Sequence, residues 1–414
     1  MRRVKHARAV SLTVVLACVV GTMAVGTAMK TPCAGGNYDG RQYRLLCYSD
    51  IVPLLGTEQL GHGRLPFLDR CAETGNNCDE YPVLTMYLMR TAAWISGDHY
   101  ASFYYVNAIL LTVFAAGTAV GLWMLAGRRA LWFALAPTLL IYGTINWDLF
   151  AVMLMVLALV AFAERRDGWA GVFLGLGAAA KFFPALLLLP LFLQGLQDRE
   201  PDRSVRVLWW TAGSWAAVNL PFAIAAPSAW WEFFRFNGER TPDFDSLWYI
   251  ACRHSSAACI STGTVDALSL GLFFALFGAL FLLKLSRDRD FPRWTLGFPL
   301  LVSFLLVNKV YSPQYGLWLL PWFALVVPGL RRFVAFEIAD AAVFVTRFWF
   351  FGAFTGAMTW PRQWWFETAV LVRTLVLIWC LIGWVRDDAP VRALGMRGWG
   401  RVRPSSDEAV TAPA

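Results

Sequence analysis

Apolar residues in this chain fall into long runs separated by short polar bridges, and the runs set the elements. The first covers 9–29, behind a basic start. After a polar stretch to about residue 100, further runs cover 103–126, 130–145, 147–163, 168–180, 183–196, 207–226, 266–284, 294–308, 313–329, 333–352 and 365–384. About 20 apolar residues at ~1.5 Å each cross a ~30 Å hydrocarbon layer, so the pattern predicts about twelve transmembrane helices, with both termini on the cytoplasmic side. Several runs are too short to cross unaided. The clearest are 168–180 and 183–196, with Lys181 at their junction. Helices that short stop at a water-filled cavity or thin the bilayer locally. Residues 9–29 read as an uncleaved first span, since no small-residue cleavage site precedes Lys30. Residues 82–96 are apolar on one face but short, which predicts a helix lying along the membrane surface.

Composition supports a lipid solvent. Of the 414 residues 58% are hydrophobic and 15% charged, with a mean hydropathy of +0.51, against roughly 45–50% and about 25% in soluble domains. The net charge of +8 is spread over loop flanks: Arg2, Arg3, Lys5 and Arg8, Arg128-Arg129, Arg165-Arg166, 199–206, 284–293, Arg331-Arg332 and the tail from Arg386. Placing all of these in the cytoplasm gives one consistent topology, and their dispersal argues against nucleic acid as a partner. The expected organisation is a cytoplasmic N-terminus (1–8), a membrane domain (9–385) and a disordered cytoplasmic tail (386–414). The membrane domain carries outer loops at 30–100 and 227–265. The second loop begins with Trp230, Trp231, Phe233, Phe234 and Phe236, read as interfacial belt aromatics.

Cysteines test that topology. Cys18 and Cys380 lie within apolar runs, whereas Cys33, Cys47, Cys71, Cys78, Cys252 and Cys259 all fall in the two outer loops. An even number in each fits disulfides of an oxidising compartment; metal ligation or free thiols are the alternatives, and no CxxC pair or His/Cys set supports a metal. Local pairing gives Cys252–Cys259 and Cys71–Cys78 and leaves Cys33–Cys47, one of three connectivities open to the four cysteines of the first loop.

No Walker A, Rossmann glycine, HExxH or GxSxG pattern occurs, and the chain has only four histidines. Neither a metal nor another cofactor is called for. The candidate chemistry is acidic and external. Most first-loop acids, Asp69 and Asp79 among them, read as solvated loop charges. Asp50 differs because it sits in the apolar stretch 45–55; partial desolvation raises a carboxylate pKa toward the range of a general base. Glu80, just before Tyr81-Pro82, either holds a sugar hydroxyl or caps the following helix. Asp148 is a second-rank acid near a helix N-terminus. Arg347 and Arg373 fall within predicted spans with Glu337 and Asp340 nearby. They read equally as functional groups and as Arg–acid pairs between the last two helices.

Tyr48-Ser49-Asp50-Ile51, then 63–69 (GRLPFLD), then Glu80-Tyr81-Pro82-Val83-Leu84, resembles the first outer loop of glycosyltransferase family 87, actinobacterial polyprenyl-phosphate-sugar-dependent enzymes of the GT-C fold. Asn146-Trp147-Asp148, Lys181-Phe182-Phe183-Pro184 and 308–315 (NKVYSPQY) resemble the family's later motifs, in order over 48–321. The resemblance implies an all-α GT-C-like bundle in the plasma membrane with its active site outside. It makes Asp50 the catalytic carboxylate. The substrate-binding set would be Glu80, Tyr81, Asn146, Asp148, Lys181, Lys309, Tyr311, Ser312 and Gln314, with the two lysines holding phosphate or else snorkelling to lipid head groups. The implied donor is a polyprenyl-phosphate mannose or arabinofuranose, and the acceptor a glycolipid or cell-wall polysaccharide. A transporter or flippase for a lipid-linked sugar would share the spans and outer cations. It would carry more acids at mid-membrane, whereas here the acids lie mostly in loops.

Overall fold

The computed structural model describes residues 10–72 and 78–391. The basic N-terminal cluster, Glu73 and most of the expected tail lie outside the described residues. The chain is all-helical, with no strand among the described residues. Among the described residues, four helices are individually long and apolar enough to cross a membrane: Leu12–Cys33, Tyr100–Ala134, Thr262–Arg287 and Gln363–Arg386. Other expected passes are shorter or broken. The run 130–145 becomes two short helices, Ala130–Ala134 and Pro137–Tyr142, because Pro137 cannot continue the preceding helix. Asp148–Ala163, Asp167–Ala180, Leu188–Gln197, Gly297–Val307 and Gly316–Leu325 follow the same apolar runs. Ile109, Val113, Ile224, Leu270 and Phe274 stand exposed, as expected where lipid is the solvent.

Helices pack closely where small residues allow it. Asp167–Ala180 lies against Pro201–Ala225, and a Cβ at Gly171 or Gly175 would run into the backbone of the second helix at Val207 and Thr211. The spacing of these two glycines is the small-xxx-small device of membrane helix pairs. It fixes the helix whose C-terminus presents Lys181.

The expected surface helix is Val83–Ser96, burying Met86, Met89, Ala92 and Ala93 and donating from Thr85 Oγ to the Ala180 carbonyl at 2.6 Å. The loop 227–265 is partly helical. Its aromatic start is a regular helix, Pro227–Glu239, and a further short helix, Leu247–His254, follows. Disulfides join Cys33 to Cys47, Cys71 to Cys78 and Cys252 to Cys259.

Candidate active site

The loop 30–100 is built around Arg64. Its guanidinium forks onto Asp79 at 2.7 and 3.1 Å and also donates to the carbonyls of Glu58, Gln59 and Asp69. Asp79, expected to be solvated, is buried. The reason is this pairing, which the local sequence does not reveal. Asp69 is exposed and accepts from Leu65 N at 2.7 Å. Glu58 is also buried and accepts from the backbone N–H groups of Asp79 (2.7 Å) and Glu80 (3.3 Å). Burial and the neighbouring Glu80 push its pKa up to about 8.

The same loop is stitched to the turn before Asp148–Ala163. Ser49 Oγ donates to Thr144 O at 2.7 Å, and the backbone N of Asp50 donates to Ile145 O at 2.9 Å. Asp50 thus sits immediately before the helix Ile51–Thr57 with both carboxylate oxygens engaged. Tyr48 donates to Oδ1 at 2.8 Å and Asn146 Nδ2 to Oδ2 at 2.9 Å. Asn146 Nδ2 also donates to the Tyr81 hydroxyl at 2.8 Å. Burial raises the Asp50 pKa, opposed by the bonds from Asn146 and Tyr48 and by the charge of Lys181.

Asp50 opens onto a cavity of about 1070 Å³. Glu80, Tyr81, Asn146, Lys181, Lys309, Ser312 and Gln314 line it as well, so residues spread along most of the chain converge on one space. The short spans 168–180 and 183–196 do end at this cavity, with Lys181 between them. Glu80 faces the cavity; the residue preceding the surface helix is Pro82, and Glu80 does not cap it. Burial and nearby Glu232 raise the Glu80 pKa, while Arg240 and Arg235 oppose the shift.

Two expected residues stand apart. Asp148 is fully buried behind the wall, accepting from Lys181 Nζ at 2.8 Å and Trp318 Nε1 at 2.6 Å. Tyr311 turns away, its ring beneath Arg373 at 3.7 Å. The two lysines are not free cations either. Lys181 is held by Asp148, and Lys309 pairs with Asp266 at 2.8 Å and donates to Gly238 O at 2.9 Å.

Sequence reasoning gave no site role to Tyr48, Arg240, Asp266, Tyr315 and Trp318, all of which line the cavity or, for Tyr48, also bond Asp50. Arg347 lines it too. Of the two expected Arg–acid pairs, one forms between the last helices, Arg373 with Asp340 at 3.2 Å. Arg347 instead reaches the loop 227–265, meeting Asp245 at 2.7 Å and Asp243 at 3.4 Å. Burial works against the Asp243 charge, but Arg347 and Arg240 together hold its pKa below the usual value. The signal was present as a charge inside an apolar run; its partner was not readable. Glu337 serves elsewhere, accepting from Thr138 N at 2.8 Å.

The chain is a helical membrane protein with a polar, acid-bearing cavity formed by loops and helix ends. The profile of glycosyltransferase family 87 matches residues 81–313, and the chain belongs to that family. Among solved structures it is similar to ArnT from Cupriavidus metallidurans bound to undecaprenyl phosphate (14% identity, TM-score 0.42, covering 89% of this chain and 76% of that one). The apo form of ArnT gives 13% identity, a TM-score of 0.43, and coverage of 91% and 77%. The apo oligosaccharyltransferase of Archaeoglobus fulgidus gives 14%, 0.40, and coverage of 91% and 56%. No curated protein matches the chain.

Proposed function

We propose that this protein is a GT-C glycosyltransferase of the plasma membrane that moves mannose or arabinofuranose from a polyprenyl-phosphate donor to a glycolipid or polysaccharide hydroxyl on the outer face. In this reading the domain 9–385 crosses the membrane about twelve times, with 30–100 and 227–265 outside. Family membership supports sugar transfer. The observation that carries the mechanism is the state of Asp50: a carboxylate of raised pKa, oriented by Tyr48 and Asn146, and open to a cavity that also holds cations.

Asp50 takes the proton of the acceptor hydroxyl as its oxygen forms a bond to the anomeric carbon. The bond from that carbon to the phosphate oxygen breaks, and the electron pair leaves with the lipid phosphate. Attack from the face opposite the phosphate inverts the anomeric centre. Raising the Asp50 pKa makes the carboxylate a better proton acceptor, while the two hydrogen bonds fix its direction. Lys181 and Lys309 offset the charge that develops on the leaving phosphate. Glu80, Tyr81, Asn146, Ser312 and Gln314 hold sugar hydroxyls. Asp148 positions Lys181 through their buried ion pair, and Tyr311 supports the wall through Arg373.

The test is a membrane preparation supplied in turn with radiolabelled decaprenyl-phosphate mannose and decaprenyl-phosphate arabinose, with the labelled product identified. Label is expected to enter a glycolipid or polysaccharide from one of the two. Movement of intact donor across the bilayer without sugar transfer would instead describe a flippase.

A further inference from the structure

Three aromatic rings form one stack at the wall of the cavity. Trp318, in the first turn of the helix Gly316–Leu325, stacks on Phe183 with ring centroids 4.1 Å apart and on Tyr315 with centroids 4.0 Å apart. Two near-parallel rings that close to one indole cannot share a face, so Trp318 lies between the other two. Its Nε1–H donates to the fully buried Asp148 at 2.6 Å. The middle ring is therefore fixed on both faces and at its rim. The local sequence builds this arrangement. The turn Pro313–Tyr315 runs directly into the helix, and residues three apart there share a face. Phe183 arrives from the turn that follows Lys181.

All three rings line the cavity, but Phe183 and Trp318 are buried whereas Tyr315 is only half-buried. Tyr315 ends the stack, and among the described residues no further ring covers its second face. The other two cavity tyrosines are committed. Tyr48 donates to Asp50 and packs on Phe348. Tyr81 meets Trp147 edge-on, with its hydroxyl accepting from Asn146. Lys181 Nζ is 5.3 Å from the Tyr315 centroid and 5.9 Å from that of Trp318. Near-equal distances to two stacked rings put the ammonium beside the stack and leave the open face of Tyr315 to a ligand. Gln314 and Ser312, just before Tyr315, line the cavity as well. The place thus offers a flat apolar face, a cation at its rim and neutral hydrogen-bonding groups next to it.

We infer that Tyr315 is the platform on which the transferred sugar lies, and that this sugar is a pyranose, mannose and not arabinofuranose. This rests on reading the cavity as the site of a polyprenyl-phosphate sugar donor. The π face of an aromatic ring is negative and attracts the slightly positive hydrogens of C–H bonds. A mannopyranose chair points its axial C3–H and C5–H bonds from one face, and its axial 2-hydroxyl from the other. That first face is a flat apolar patch that matches a phenol ring. A puckered arabinofuranose carries its 2- and 3-hydroxyls on opposite faces and has no such patch. A phosphate at the rim of a sugar lying flat on Tyr315 comes beside Lys181. Tyr315 acts here by contact and adds no covalent step.

The probes are decaprenyl phosphate, decaprenyl-phosphate mannose and decaprenyl-phosphate arabinofuranose, each bound to the purified full-length protein in detergent without acceptor. The quantity read is what the sugar adds to the affinity of the bare lipid phosphate. Mannose is expected to tighten binding about fivefold, and arabinofuranose less than about twofold. Tyr315→Leu should cut the mannose gain to below about twofold while the bare lipid still binds. Tyr315→Phe keeps the ring and should keep the gain. A wild type that gains nothing from mannose, or gains as much from arabinofuranose, overturns the inference, and this comparison needs no variant. A mannose gain that survives in a Tyr315→Leu variant melting like wild type overturns it too. So does an equal weakening of all three lipids by that variant, which would mark Tyr315 as wall packing only. A protein that shows the mannose gain, loses it in Tyr315→Leu and yet transfers no sugar contradicts the function above and leaves the platform standing.

Discussion

On the wall that carries Asp50, each functional side chain is fixed from two directions. Asp50 is held by Tyr48 and Asn146, its loop by Ser49 and the Ile145 carbonyl, and Lys181 by a fully buried Asp148. On the wall made by the helix Pro227–Glu239 and the start of Thr262–Arg287 the holding is looser. The helix Pro227–Glu239 buries none of its residues, Arg235 pairs with exposed or half-buried acids, and Asp266 is open to solvent. A group that must meet a reacting bond gains from rigid placement. A wall that must admit a substrate has to move. Under the proposed function, the two walls of one cavity divide these demands.

The largest expected effect lies on the rigid wall. Asp50→Asn keeps size and most hydrogen bonds but cannot take the hydroxyl proton. General-base catalysis contributes about 10²–10⁴-fold, and turnover in the membrane assay should fall by that order. Asp50→Glu should retain part of the activity, since a displaced carboxylate remains. Because burial raises the Asp50 pKa, wild-type turnover should rise with pH through that raised value, and this limb should be absent from the Asn variant.

The next effect is on stability. Asp79→Asn breaks a buried pair with Arg64, and removing one partner of such a pair costs about 3–5 kcal/mol. Asp69→Asn, at an exposed acid of the same loop, should stay within about 1 kcal/mol. Thermal unfolding of the purified variants makes the comparison. Equal melting of the two would show that the first loop is not organised by Arg64.

A third effect is spread over a pH range and concerns Glu58. Its pKa rises on folding from the ordinary 4.5 to about 8, so between those values the folded protein binds more protons than the unfolded chain. Stability must then fall as pH rises through this window, by up to about 1.4 kcal/mol per pH unit for one group. Glu58→Gln should flatten the decline in melting temperature. An unchanged slope would remove Glu58 as its source.

The helical runs and the convergence of motifs were legible because both are written locally. Apolar length marks a membrane helix, and Asp50, Asn146, Lys181 and Lys309 stand in short recognisable segments at helix ends. Three things were not legible, each set by contacts distant in sequence. Asp79 and Glu58 resemble their solvated neighbours until Arg64 and the backbone of 79–80 close around them. Arg347 shows itself as an intramembrane charge, but its partners Asp243 and Asp245 come from another loop. Composition cannot say that Asp148 lies behind the wall while Asp50 opens through it. The aromatics at 230–236 were read as an interfacial belt, and the structure places them on the helix Pro227–Glu239.

The central claim is that Asp50 acts on the reacting hydroxyl and does not merely hold the cavity together. Measuring donor affinity and single-turnover sugar transfer on the same preparation of Asp50→Asn tests it directly. Decaprenyl-phosphate sugar is expected to bind within about threefold of wild type while transfer falls by at least about 10²-fold. Transfer at close to the wild-type rate by a variant that binds donor normally would contradict it.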